Sequence, residues 1–197
     1  MAATATAIDT DYLVVGAGAT AMAFVDTLLS ETDARVLLVD RHHRPGGHWN
    51  DAYPFVRLHQ PSPWYGVASR ELSSWTVDEA GLNRGQYGLA SGTEVLAYFE
   101  QVLQQRFLPS GRVQWLQMCE VAIDAGGKHT VTSLTSGLVR DVTVHKKLVD
   151  ATHARTAVPS TQRPRYAVAP GVSCVPLNLL SSVDALESAE NVDLARV

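Results

Sequence analysis

Cysteine is scarce: Cys119 and Cys174 stand alone in 197 residues, and neither belongs to a CxxC pair. That excludes a disulfide framework and a thiolate zinc site, and leaves two buried thiols as the expectation. Charge is sparse as well, at 18% of residues with a formal net charge of -4, and Lys and Arg form no dense run. The clustered cations that several phosphates demand are missing, so no nucleic-acid partner is expected. No apolar stretch approaches the roughly 20 residues of a membrane-spanning helix. The opening from Met1 to Asp9 lacks the basic region and apolar core of a signal peptide. A cytoplasmic protein with no membrane partner is expected. No G-x-S-x-G elbow anchors a hydrolase. None of the seven histidines pairs with another at i, i+4 beside a general-base Glu, and the adjacent His42 and His43 point in different directions, so no metal site is expected.

What remains is the composition of a packed globular chain, 46% hydrophobic, long enough for one well-buried domain and a fraction of another. Tyr12-Leu-Val-Val15 is an apolar run ending at Gly16. Ala19 to Ser30 then carries Met22, Ala23, Val25 and Leu29 at helical spacing, and Arg35-Val-Leu-Leu-Val39 is a second buried strand. Strand, glycine turn, helix and strand within about 30 residues predict a right-handed βαβ unit.

From Asp40 to Leu89 the chain is rich in Gly, Pro, His, Trp and Tyr without periodicity, the pattern of a long loop lining a ligand site. Ser91-Gly-Thr-Glu94 is a capping box opening a helix whose apolar face is Val95, Leu96, Phe99, Val102, Leu103 and Phe107. Val113 to Leu116 predicts a strand. Glu120 to Ile123, Thr130 to Leu134 and Val139 to Val144 predict an antiparallel meander broken at Gly126-Gly127 and Ser136-Gly137, and Lys147 to Asp150 a further short buried strand. Beyond Ala151 the chain turns Pro-rich through Leu180, with a weak terminal helix from Ser181 to Val197. The expected organisation is an irregular start at 1–10, a nucleotide-binding domain at 11–158, and a linker and tail at 159–197.

The chemistry concentrates at Gly16-Ala17-Gly18-Ala19-Thr20-Ala21, a GxGxxA turn. Gly16 permits the tight strand-to-helix turn, Gly18 lets the backbone approach a pyrophosphate, and Ala21 allows helix and strand to pack closely. The pyrophosphate then rests on the helix N-terminus, where free N–H groups and the positive dipole end favour an anion. Asp40, at the end of the second strand and followed by Arg41, stands where a carboxylate accepts hydrogen bonds from an adenosine ribose. It would repel a 2′-phosphate, which favours FAD or NAD over NADP.

Gly47-His48-Trp49 resembles the GGxW segment that follows the FAD fingerprint in flavin-containing and Baeyer–Villiger-type monooxygenases. The resemblance runs from about Asp11 to Pro159. It implies an α/β fold, a Rossmann-like FAD-binding domain with a parallel sheet and an inserted antiparallel β-meander, incomplete in this chain. It also places His59, Gln60, Ser62 and Tyr65 near the flavin ring system, and Val121 where adenine meets backbone atoms. Val149-Asp150-Ala151-Thr152 resembles the start of the family's ATG motif, with His153 where glycine is expected. FAD is the implied cofactor. NADPH is implied only with a second dinucleotide domain, since no second GxGxxG turn follows Thr152, and on this reading the chain is the leading part of a two-dinucleotide-domain protein. The expected function is the FAD-binding part of a flavin-dependent oxidoreductase acting on a small molecule. The alternatives are a non-catalytic dinucleotide-binding module and an NAD-dependent dehydrogenase, the latter opposed by GGxW.

Overall fold

The computed structural model of the chain describes residues 7–152 and 166–172. Its centre is the predicted βαβ unit: β1 (Ile8–Val15), α1 (Ala19–Glu31) and β2 (Val36–Val39). β1 pairs in parallel with β2 on one side and with β8 (Val139–Asp150) on the other, while β5 (Val113–Leu116) pairs in parallel with β2 at the edge. α1 buries Ala21, Met22, Val25, Leu28 and Leu29, one stripe at helical spacing. β1 begins at Ile8, within the stretch through residue 10 expected to be irregular, because β8 is long enough for Ile8 and Thr10 to find partners in Val142 and Val144.

The meander continues this sheet and does not form a separate one. β6 (Cys119–Ile123) and β7 (His129–Ser133) complete a six-stranded order β5-β2-β1-β8-β7-β6. The two strands expected at Val139 to Val144 and Lys147 to Asp150 are one strand. The polar His145-Lys146 pair that suggests a break is a bulge, two residues standing opposite Asp11 where the register shifts between Thr10 and Tyr12. The Lys147 to Asp150 end is not buried: Leu148 and Val149 are half-buried and their flanking residues exposed.

Alternation along β1 and β2 splits the core in two. Val14, Val36 and Leu38 face α1 and α2 (Gly92–Val102) with Phe99, Leu103 and Phe107. Leu13, Leu37 and Val39 face the opposite way and pack on Cys119, Val131 and Val142, so the meander curls over that face and covers it. The capping box forms as the sequence predicts: Ser91 accepts from the Glu94 amide, and the Glu94 carboxylate accepts from the Ser91 amide at 2.7 Å.

The 53–90 stretch is mostly irregular, with a short hairpin of β3 (Gly66–Val67) and β4 (Arg70–Glu71). It is held by side chains: the Tyr98 hydroxyl accepts from the Val67 amide at 2.7 Å and donates to the Arg70 carbonyl at 2.6 Å. The ends of β1, β2 and β8 therefore meet at one edge beneath a loop anchored on α2. Among the described residues no helix is long and apolar enough to cross a membrane.

Candidate nucleotide-binding site

The glycine turn leaves β1 with Gly16 at φ 94°, a conformation that L side chains rarely adopt, and a Cβ there would lie 3.3 Å from the Ala151 carbonyl. Ala151 and Thr152 thus pack against the turn from the end of β8, with the Ala151 amide donating to Val15 at 2.9 Å. Ala17 and Ala21 are fully buried, which fits close packing of α1 on the sheet, while Ala19 is half-buried and Thr20 exposed. Gly18 is the N-cap of α1, and no side chain caps this end, so its first amides are left to other partners.

Gly18 faces a second glycine segment. A Cβ at Gly18 would find only the Gly47 Cα, at 3.7 Å, whereas one at Gly47, whose φ is 55°, would lie 2.9 Å from the Gly18 Cα. The Gly46 amide donates to the Ala17 carbonyl at 2.8 Å. The Gly16–Ala21 turn and the 3-10 turn Gly47–Asp51 therefore lie backbone to backbone with no side chain between them.

Asp40 is 6% exposed, and its carboxylate works inside the protein. One oxygen accepts from the Ala17 amide at 2.5 Å, the other from the His42 amide at 2.7 Å and ring Nδ1 at 2.8 Å. Burial pushes this carboxyl up, but the bonds from His42 and Ala17 outweigh it and hold the group below the usual carboxylate range. Three of roughly four acceptor positions on the carboxylate are occupied. Asp40 thus shares its carboxylate between Ala17 and His42, and the exposed Arg41 beside it pairs with Glu120 at 3.5 Å.

Beyond Trp49 the chain forms a cleft of about 290 Å³ lined by His48, Trp49, Arg57, His59, Gln60 and Tyr65, among others. Of the four residues that the resemblance groups, His59, Gln60, Ser62 and Tyr65, three line this cleft, joined by His48. Trp49 is buried and donates through its indole N–H to the Tyr65 hydroxyl at 2.8 Å, while His48 stacks on the Trp49 ring. Burial raises the Tyr65 phenol above its ordinary value. Ser62 does not line this cleft. It is 1% exposed, with its hydroxyl donating to the Gly88 carbonyl and accepting from the Ala90 amide, so it fastens the loop. Val121 pairs with Val131 and packs, half-buried, in the meander core. His153 lies outside the described residues.

Two constellations escape sequence reading. Asp26, buried on the apolar stripe of α1, accepts from the Ser69 amide at 3.0 Å and from the Arg106 guanidinium. Its one signal is an acid set between Val25 and Leu29. The other is His42, whose Nε2 reaches Asp51 at 3.0 Å across the Gly46-Gly47 bend, with no motif to announce it.

The model of an NAD(P)-binding Rossmann-like domain matches residues 14–61. Uncharacterized proteins of Mycobacterium tuberculosis H37Rv and Mycobacterium bovis are 53% identical over 173 residues, covering 88% of this chain and 31% of theirs. The chain thus spans about a third of the length of these relatives. A flavin-containing monooxygenase from Stenotrophomonas maltophilia superposes with a TM-score of 0.53 at 21% identity, over 74% of this chain and 38% of its own. A cyclohexanone monooxygenase mutant from Rhodococcus sp. Phi1 bound to NADP+ gives 0.51 at 23%, over 84% and 29%. A bacillithiol disulfide reductase from Staphylococcus aureus gives 0.53 at 11%, over 74% and 38%. This chain shares the Rossmann-like fold of these flavin monooxygenases over its N-terminal part. A reductase shares that fold, so the reaction is a question for the site.

Proposed function

We propose that this chain is the FAD-binding part of a flavin-dependent oxidoreductase, with the pyrophosphate on the Gly16–Ala21 turn and the adenosine toward Asp40 and Arg41. The observation that carries the reading is the bare seam between Gly18 and Gly47, where a Cβ at Gly18 would meet nothing closer than 3.7 Å, beside a helix N-terminus that no side chain caps. An anion approaching there meets backbone amides and the positive end of α1. The residues fit the group. Asp40 shapes the turn by holding the Ala17 amide, and a ribose hydroxyl would use what acceptor capacity it has left. The cleft lined by His48, Trp49, His59, Gln60 and Tyr65 begins at the Gly47–Asp51 turn and suits the flavin ring with aromatic and polar walls. Bound flavin supplies the hydride and electron chemistry, and the protein supplies placement and electrostatics.

The test is direct. Purified chain, loaded with FAD and passed through gel filtration, should retain flavin absorbance and release it on denaturation. Repeated uptake of NAD with no flavin would overturn the assignment. A second reading, a dinucleotide-binding module without turnover, is favoured by one observation: Gly16–Ala21 is the single glycine-rich dinucleotide turn in the sequence.

A further inference from the structure

His42 holds a place that neither the glycine motif nor the GGxW pattern assigns. Its ring lies between two carboxylates, with Nδ1 2.8 Å from Asp40 and Nε2 3.0 Å from Asp51. A neutral imidazole donates from one nitrogen only, so serving both acceptors requires a proton on each. Asp40 ends β2 and grips the Ala17 amide of the glycine turn, and Asp51 closes the Gly47–Asp51 turn whose first residue faces Gly18. One chain of contacts, Ala17 to Asp40 to His42 to Asp51, ties the two glycine segments together.

We infer that His42 is a positioning residue of the nucleotide site, holding the Gly16–Ala21 and Gly47–Asp51 segments at a fixed spacing while both ring nitrogens are protonated and releasing them when one proton is lost. Its functional side rests on the FAD-binding reading, whereas the geometric linkage does not. The charged groups facing the ring are Asp40 from β2 and Asp51 from the following turn. From the link between β5 and β6 only the Met118 amide arrives, at the His42 carbonyl, and Glu120 on β6 is engaged by Arg41. The Asp40 hydrogen bond raises the imidazole, burial opposes it, and Asp51 raises it further, to a net value above the ordinary one. The linkage is therefore closed below the raised value and opens as pH rises through it. Asp51, the more exposed acid, is the partner released.

The experiment follows the His42 ring and the Ala17 and Gly47 amides by NMR from pH 6 to 10, with FAD titrations at the same pH values, in the wild-type chain, His42→Gln and Asp51→Asn. Both amides should move with the His42 titration. FAD affinity should fall about tenfold across it, the scale of one charge-assisted hydrogen bond. His42→Gln should bind about tenfold more weakly than the wild type on the acid side of the His42 titration and lose this inflection, and Asp51→Asn should shift it to lower pH. A purely structural histidine would lower stability in His42→Gln yet leave a pH-flat affinity in the wild type. Amides that ignore the His42 titration, or a His42→Gln profile matching the wild type, would overturn the inference. If FAD bound at no pH the cofactor assignment would fall, and the amide titrations would still decide the linkage.

Discussion

At the scale of single residues, the site divides between positions defined by empty space and positions defined by bonds. Gly18 is of the first kind: a side chain there would fill the approach to the α1 N-terminus while touching little of the protein. Gly18→Val should abolish FAD binding and leave the urea midpoint near wild type, and undiminished FAD retention would show that Gly18 only packs. Asp40 is of the second kind, since its partners are Ala17 and His42. Asp40→Ala should destabilise the fold by about 1–3 kcal/mol through those orphaned donors, with a smaller loss of FAD affinity than Gly18→Val; urea unfolding and FAD titration separate the two effects. The glycine turn is legible in sequence because its residues are dictated by backbone geometry within six consecutive positions. The real work of Asp40 is not, because the spacing that marks it says nothing about the direction of its oxygens. His42 is silent for the same reason: its second partner, Asp51, lies across a bend.

At the scale of elements, local signals and tertiary ones separate cleanly. The Ser91 cap is a local signal, read from four residues and present in the fold. Ser91→Ala should lower stability by about 1 kcal/mol, seen as a reduced melting temperature with FAD affinity changed far less than by Gly18→Val, because the bonds lost are the cap's own while α2 meets the site through Leu96 at Gly46 and Gly92 at Trp49. Tyr98 is a tertiary device that lies outside the apolar face expected from helical spacing, Val95, Leu96, Phe99, Val102, Leu103 and Phe107. Its hydroxyl fixes the hairpin at Val67 and Arg70, and Tyr98→Phe should leave the Val67 amide without its partner, costing about 1–3 kcal/mol. Hydrogen exchange at that amide should accelerate well beyond the change at β1, and equal acceleration everywhere would mean only global destabilisation. The same division explains β8. Two polar residues in a β-rich run read as a turn, and only the neighbouring strand reveals that they bulge opposite Asp11. The 53–90 loop was legible as a loop and not in its fastenings, which are hydroxyl and carbonyl bonds between residues some 30 apart in sequence, such as Ser62 to Gly88 and Tyr98 to Arg70.

For the whole molecule, stability and pH are linked with two signs. The raised His42 value means its contribution is complete below the ordinary imidazole range and is lost as pH rises through the raised one. Asp40, Asp9 and Asp11 are lowered, so their contributions are present above the ordinary carboxylate range and lost as pH falls through the lowered values. The urea midpoint should decline as pH rises through the raised His42 value and as it falls through the lowered carboxylate values, with His42→Gln flattening the first decline. The sheet that supports all this has its two middle strands drawn from parts of the chain far apart in sequence, β1 pairing Ile8 with Val142 of β8. On a ribosome adding about 5–20 residues per second, roughly 130 residues must be made before that partner exists, an interval on the order of 7 to 27 s. Through it, β1 and the glycine turn wait with one strand edge unpaired, so the nucleotide site cannot be completed before β8 is made, and the nascent chain is exposed to mispairing along β1.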